Sequence, residues 1–285
     1  MNRKRTLCFI GVHPDDETFG LGSTLAHYAA AGVSVYYICA TRGEAGMNNL
    51  NQLREFTSLA ELRLDELNCA AKILGLAGVV QLGYRDSGMP GADDNKHPHQ
   101  ALAVAPLEKV SEDIVKVIRN IKPELIITHD PIGGYRHPDH IAIHNATVKA
   151  FEIAPDPTKY PEAGPVFQPQ KLYFHVLPRK LLKIAIKLMP LFGQDPHHFG
   201  QNKDVDLASL AEVDFPISAV VRPTKAAVRA RNEAMSCYAS QKRNGPPQSN
   251  LLFLVRKFLG QRDSFMRTYP PNNGIREHDL FENVS

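Results

Sequence analysis

Cysteine is scarce in this chain: four among 285 residues, none of them in a Cys-x-x-Cys pair. Cys8, Cys39, Cys69 and Cys237 are scattered, and the first two fall within expected strands. They read as four reduced thiols of a cytoplasmic protein. Charge of one sign is lacking too. The formal net charge is +3, and no Lys/Arg block stands out beyond Arg3-Lys4-Arg5, so nothing argues for nucleic acid as a partner. No apolar run is long enough to span a bilayer, so no stable membrane insertion is expected. The short N-terminal apolar run has no cleavage-site pattern, and a signal peptide is not expected. Internal repeats and low-complexity segments are missing as well. What remains is the composition of an ordinary globular protein, long enough to bury one full α/β core.

Apolar runs alternate with helical periodicity over the first two thirds. Residues 6–12 (Thr-Leu-Cys-Phe-Ile-Gly-Val) read as a strand covered on both faces, the kind found in parallel sheets. A helix over about 18–31 stops at Gly32, and a second strand covers 33–40. The next helix, about 52–74, carries Leu53, Phe56, Ala60, Leu64, Leu67, Ala71 and Leu74 at helical spacing before Gly75. Strands over 79–84, 124–128 and 171–177 alternate with helices over 106–120 and 138–151. This order predicts an α/β protein with a mostly parallel sheet and helices on both faces. Beyond Leu177 the signal weakens to a basic amphipathic helix (180–189), a strand interrupted by Pro216 (213–221) and a helix (224–240). The Pro-rich stretch 154–170 reads as a surface excursion. The expectation is one domain over 1–285, with a core over 1–177 and a C-terminal region over 178–285 packed on it.

Two clusters carry the chemistry. His13-Pro14-Asp15-Asp16-Glu17 follows the first strand, and His137-Pro138-Asp139-His140 follows the strand over 124–128. In doubly wound sheets the ligand crevice opens at the carboxyl ends of the strands, where strand order reverses. That point is expected between these two strands, so both clusters would flank one crevice. His13, one of Asp15 and Asp16, and one of His137 and His140 make a two-histidine, one-carboxylate zinc set with a position left for water. That is the pattern of hydrolytic zinc, as distinct from closed structural zinc. A cation held this way acidifies water and polarises a carbonyl while a spare carboxylate takes the proton. Two adjacent aspartates in one turn cannot point the same way, which divides ligand from base. Pro14 stiffens the turn; Asp16 could instead cap the helix that follows.

The two histidine motifs, about 120 residues apart, resemble those of the PIG-L/LmbE-like family of zinc-dependent N-deacetylases, which act on N-acetylglucosamine conjugates. The likeness extends through Thr41-Arg-Gly-Glu-Ala-Gly46, the pair Arg63 and Glu66, and Leu82-Gly-Tyr-Arg-Asp-Ser-Gly-Met89. It weakens after about residue 150. The resemblance implies a Rossmann-like three-layer fold, with Zn2+ (one per chain) on His13, Asp16 and His140. It implies Asp15 as general base, His137 as stabiliser of the oxyanion or proton donor, and Asp139 as the residue orienting that histidine. Tyr135 would approach the substrate carbonyl, and Arg63 and Asp86 would hold the sugar. Two departures stand out: Arg136 where the family usually has Gly, and Tyr238-Ala-Ser-Gln241 where it has His-x-Ser-Gln. Both are expected where substrate is read.

The implied activity is removal of an acetyl group from the amide nitrogen of an N-acetylglucosamine conjugate, a small-molecule partner. The alternatives are an amidase on thiol-conjugated amino sugars and a non-catalytic metal- or sugar-binding protein. Fe2+ suits the same ligands, and a homo-oligomer is left open. Arg63 lies in the apolar stripe of its helix, where a charge is costly unless paired or snorkelling at the rim. Asp86 also suits a turn with Ser87-Gly88. His144, one turn after His140, reads as a packing residue, and His129-Asp130 as support behind the ligands. His97, His99, His197 and His198 read as solvated loop histidines. The Lys180/Lys183/Lys187 face, opposite Leu181, Ile184, Leu188 and Met189, reads as a helix packed on its own domain. Gly20-x-Gly22 follows an acidic turn that would repel a pyrophosphate.

Overall fold

Strand β1 (Thr6–Gly11) is buried at every position, as a run without polar alternation requires. It lies inside a seven-stranded sheet in the computed structural model, which describes residues 4–46, 56–89, 101–198, 206–241 and 262–285. Leu7 and Phe9 join one apolar cluster with Leu21, Leu25 and Tyr28, while Cys8 and Ile10 join another with Ile114, Ile118 and Ile143. One strand therefore supplies both faces of a three-layer sandwich. In chain order the elements after β1 are α1 (Gly22–Ala30), β2 (Ser34–Thr41), α2 (Leu59–Leu74), β3 (Gly78–Tyr84), α3 (Leu107–Ile121) and β4 (Leu125–His129). They continue with α4 (Gly133–Arg136), α5 (Pro138–Ile153), β5 (Lys171–Val176), α6 (Arg179–Leu188), α7 (Leu207–Ala211), β6 (Ala219–Val221), α8 (Lys225–Ala234) and β7 (Asp263–Tyr269).

The sheet order is β3-β2-β1-β4-β5-β7-β6. β1 pairs in parallel with both β2 and β4, so the order reverses between β1 and β4, as the sequence pattern implied. Their carboxyl ends emerge side by side and deliver both histidine motifs to one edge. Beyond β5 the sheet turns antiparallel, with β7 inserted between β5 and β6. β7 was not expected, because its residues Asp-Ser-Phe-Met-Arg-Thr-Tyr lack an apolar run and its strand form is decided by the partners on either side of it. β6 begins only after Pro216, whose missing N–H would break a ladder.

Other boundaries shift for local reasons. The helix expected over 18–31 is preceded by a wide turn at Asp16–Gly20, where the Asp15 carbonyl accepts from Thr18 N–H (2.9 Å) and Phe19 N–H (2.8 Å). α2 starts at Leu59 because Ser58 caps it, accepting from Glu61 N–H at 3.2 Å. The earlier start at 52–55, including Leu53, lies outside the described residues, as do His97 and His99. α6 is followed by Met189, which buries with Leu207 and Leu210 beside Ile132 and Ile186, whereas Ile184 of the expected apolar face is exposed, so the segment docks through its end. Among the described residues no helix is long and apolar enough to cross a membrane.

One expectation is overturned. Cys8 and Cys39 are free and buried, but Cys69 and Cys237 form a disulfide. α2 packs against the α8 end of the chain, which brings two residues 168 apart in sequence to a Cα–Cα distance of 5.9 Å. Spacing along the chain carries no trace of that approach. The cysteine pattern therefore does not speak for a reducing compartment. In the chain-entropy picture, closing a loop of this length contributes about 5 kcal/mol.

Candidate active site

β1 ends against the Tyr37 ring, with no room for a side chain: a Cβ on Gly11 would lie 2.9 Å from it. The Tyr37 hydroxyl donates to the His13 carbonyl at 2.7 Å and fixes the start of the turn. Asp16 does not cap the following helix. Its Oδ2 accepts from the N–H groups of Val12 and His13, both at 3.0 Å, so the carboxylate is folded back over the strand end. There it meets both motifs. The ligand atoms of His13, Asp16 and His140 all lie within 4.8 Å of one another. His13 Nδ1 and His140 Nε2 stand 3.4 Å apart, with Asp16 Oδ2 at 4.0 Å and 3.5 Å from them. Two imidazole nitrogens on one tetrahedral zinc would be separated by about 3.3 Å. Two neutral nitrogens and one anionic oxygen at this spacing fit a divalent cation.

The other edge of the His13 ring faces carboxylates. Its Nε2 lies 3.3 Å from Asp86 Oδ1 and 3.6 Å from Asp139 Oδ2. This places a proton on Nε2 and leaves Nδ1 as the ligand atom. Burial acts to lower the His13 pKa, but the two carboxylates outweigh it and raise it well above the ordinary value. Asp86 is also the turn residue that its sequence allowed: it accepts from Gly88 N–H at 2.9 Å and from Ala45 N–H at 3.3 Å.

His137 is the N-cap of α5, its Nδ1 accepting from Asp139 N–H at 3.2 Å, with Pro138 in the first helical turn. An Nδ1 that accepts must carry no proton, so neutral His137 presents Nε2–H as a donor. Burial, reinforced by the nearby His13, lowers its pKa to about 4. Asp139 reaches His137 through its backbone; its carboxylate is turned to Ser87 N–H (2.8 Å) and to His13. Tyr135 is 39% exposed, with its ring 5.6 Å from that of His137 and 5.2 Å from that of His140.

Asp15 is paired with a residue of α2. Its φ of 123° lies in the left-handed region, and its carboxylate pairs with Arg63 at 2.8 Å. Burial raises the Asp15 pKa, Arg63 opposes the rise, and the balance lies at about 6. Arg63 is itself buried and donates to the carbonyls of Pro14 and Gly43 as well. Room for it is made by glycine. A Cβ on either Gly43 or Gly46 would lie 2.3 Å from Arg63 Nη1, and Gly43 also has φ +70°. The Thr41–Gly46 segment is thus a bed for the arginine that holds Asp15. Arg63, which the family resemblance assigns to the sugar, is bonded to Asp15.

His129, at the end of β4, lies behind the ligands. Its Nε2 is 3.4 Å from Asp16 Oδ2, and its ring stacks on His140 at 3.9 Å. His144 Nδ1 in turn meets the His129 carbonyl at 2.8 Å, the packing role expected of it. His197 and His198 are exposed and paired with Asp206 and Asp195.

Residues 8–151 match the PIG-L family, described as GlcNAc-PI de-N-acetylase. The chain belongs to this family. It is 36% identical over 246 residues to a 1D-myo-inositol 2-acetamido-2-deoxy-alpha-D-glucopyranoside deacetylase of Catenulispora acidiphila, covering 83% of this chain and 75% of that one. A Streptomyces avermitilis protein of the same description is 32% identical over 290 residues, covering 99% and 98% of the two chains. The fold is similar to that of N,N'-diacetylchitobiose deacetylase from Pyrococcus horikoshii, with a TM-score of 0.64 at 19% identity over 92% of this chain and 83% of that one.

Both departures from the PIG-L pattern now have a place. Arg136 adopts φ 66°, a conformation that glycine takes without penalty, which explains a family preference for Gly there. Tyr238, expected where substrate is read, is instead fully buried, and its hydroxyl donates to Glu17 at 2.6 Å.

Proposed function

We propose that this PIG-L member is a metal-dependent hydrolase that removes the acetyl group from the amide nitrogen of an N-acetylglucosamine conjugate. The observation that carries the reading is one edge of the sheet holding a two-histidine, one-carboxylate donor set, with a separate carboxylate, Asp15, beside it and paired with Arg63. His13, Asp16 and His140 would hold one Zn2+ per chain. When bound, such a cation acidifies a water and polarises the acetamide carbonyl.

The remaining chemistry belongs to the chain. With a pKa of about 6, Asp15 is mostly ionised at neutral pH and accepts the proton of the attacking water. His137 offers Nε2–H to the developing oxyanion. Protonating its Nδ1 would break the bond to Asp139 N–H, so His137 acts as a neutral donor and Asp15 returns the proton to the departing amine. Tyr135 is placed to approach the same carbonyl. Arg63 and Asp86 act on Asp15 and His13, and a sugar hydroxyl would have to share them. Residues 1–285 form one catalytic domain, whose C-terminal region supports the site. The names of the relatives make an inositol-linked amino sugar the first candidate substrate.

The test is amine release from metal-stripped protein, with and without zinc, on inositol, malate, phospholipid and simple N-acetylglucosamine conjugates and an S-conjugated thiol amide. Zinc-dependent release is expected, with Asp15→Asn about 10²- to 10⁴-fold slower at unchanged zinc content. Full activity in that variant would sink the reading. Release from the thiol amide alone would favour the amidase.

A further inference from the structure

We propose that Glu17 is a positioning residue for Asp15, held in place by Tyr238 from the far end of the chain. The proposal rests on Asp15 as the base. Glu17 is fully buried and does not face the ligand set. Its Oε2 accepts from the backbone N–H of Asp15 at 3.0 Å. Its Oε1 accepts from the Thr18 hydroxyl at 2.5 Å and from the Tyr238 hydroxyl at 2.6 Å.

Asp15 needs such a hold. At φ 123° a residue with a Cβ is in a sparsely populated conformation, which persists only where the surroundings over-determine it. The Asp15 carbonyl is fixed by Thr18 and Phe19, its carboxylate by Arg63, and its N–H by Glu17. Glu17 holds the N–H end of Asp15 while Thr18 and Phe19 hold its carbonyl, and together they set the direction in which the side chain leaves the backbone.

Tyr238 is in turn anchored on both sides. Cys237 is bonded to Cys69 of α2. Ser240 donates to Glu66 of α2 through its N–H (2.7 Å) and its hydroxyl (2.6 Å). Tyr238 also leans on Phe19, with ring centroids 5.6 Å apart. The same short segment thus steadies Glu17 directly and α2, the helix that carries Arg63, at two points. The two side-chain holds on Asp15, from Glu17 and from Arg63, converge on residues 237–240.

The test uses zinc-loaded full-length protein with N-acetylglucosaminyl-inositol, or whichever conjugate of the panel reacts fastest. Glu17→Met keeps the volume and removes the acceptor; Glu17→Gln keeps a carbonyl oxygen for the Asp15 N–H. The expected result is a kcat about 10- to 100-fold lower for Glu17→Met at similar KM and zinc content, with kcat mostly restored by Glu17→Gln. Tyr238→Phe, which loses only the hydroxyl, is expected to lower kcat several-fold. Unchanged kcat per zinc-loaded folded molecule in Glu17→Met and Tyr238→Phe, with only the melting temperature lowered, would overturn the proposal. Should Glu17→Met not fold, Tyr238→Phe decides by the same criterion. The two readings fail separately: an active Asp15→Asn removes the base, whereas an inactive Asp15→Asn beside fully active Glu17→Met and Tyr238→Phe removes only the positioning role.

Discussion

Replacing Arg63 by Met tests how Asp15, the proposed base, is held. The guanidinium is buried and serves three acceptors: Asp15 Oδ2 at 2.8 Å, Gly43 O at 3.0 Å, and Pro14 O. The Asp15 side chain is 21% exposed, so the pair is largely shielded from solvent. Removing one partner of a buried pair leaves the other charge uncompensated, at a cost of about 3–5 kcal/mol. The exposed fraction of Asp15 favours the lower end, about 3 kcal/mol. Asp15→Asn in the same protein removes the charge that Arg63 neutralises but leaves the arginine its two carbonyl partners, so its own cost is smaller. Because the two side chains meet directly, the double variant should be more stable than the sum of the single losses predicts, by more than about 1 kcal/mol. Urea unfolding of the four metal-free proteins at pH 7 gives that coupling. Arg63→Met should also push the Asp15 pKa upward, since burial already raises it and Arg63 is the main opposing influence. The acid limb of the kcat profile would then move to higher pH. Additive losses within about 0.5 kcal/mol, with an unmoved limb, would refute the arginine's role.

Two further outcomes follow from the charges. Metal-free His13 holds a proton at neutral pH, because Asp86 and Asp139 outweigh its burial, and a cation on Nδ1 must displace the excess proton. Zinc binding at pH 7 should therefore release close to one proton, read as a buffer-dependent heat in calorimetry; heats independent of the buffer would contradict the carboxylate arrangement around His13. Burial raises the Glu17 pKa to about 7, against an ordinary 4.5. The folded state then keeps a proton that the unfolded chain loses, and stability falls as pH rises from 4.5 to 7, by up to about 3 kcal/mol. The stability of metal-free Glu17→Gln relative to wild type should accordingly improve between pH 5 and pH 8, and a constant difference across that range would show that Glu17 titrates normally.

Much of the molecule was written locally. A buried strand announces itself by an unbroken apolar run, and α2 by its stripe and Gly75 at its end. The alternation of strands and helices implied a parallel sheet, and the rule that such sheets bind ligands where strand order reverses brought two motifs some 120 residues apart to one crevice. A two-histidine, one-carboxylate set with a spare carboxylate was legible because each motif is contiguous and sits at a strand exit; the choice of Asp16 over Asp15 and of His140 over His137 came from the family resemblance.

What tertiary structure alone decided is which atoms those residues face. Nothing near Arg63 in sequence says that its charge is matched by Asp15, or that Gly43 and Gly46 exist to admit it. Asp86 and Asp139 fix the proton of His13 because three separate strand exits meet there. The disulfide of Cys69 with Cys237, the insertion of β7, and the Tyr238 hydroxyl on Glu17 join positions far apart in the chain. Periodicity and motif record each segment's own preferences for backbone and burial. A hydrogen bond or ion pair between distant segments is recorded only in the approach of two packed surfaces, and that approach is a property of the folded chain as a whole.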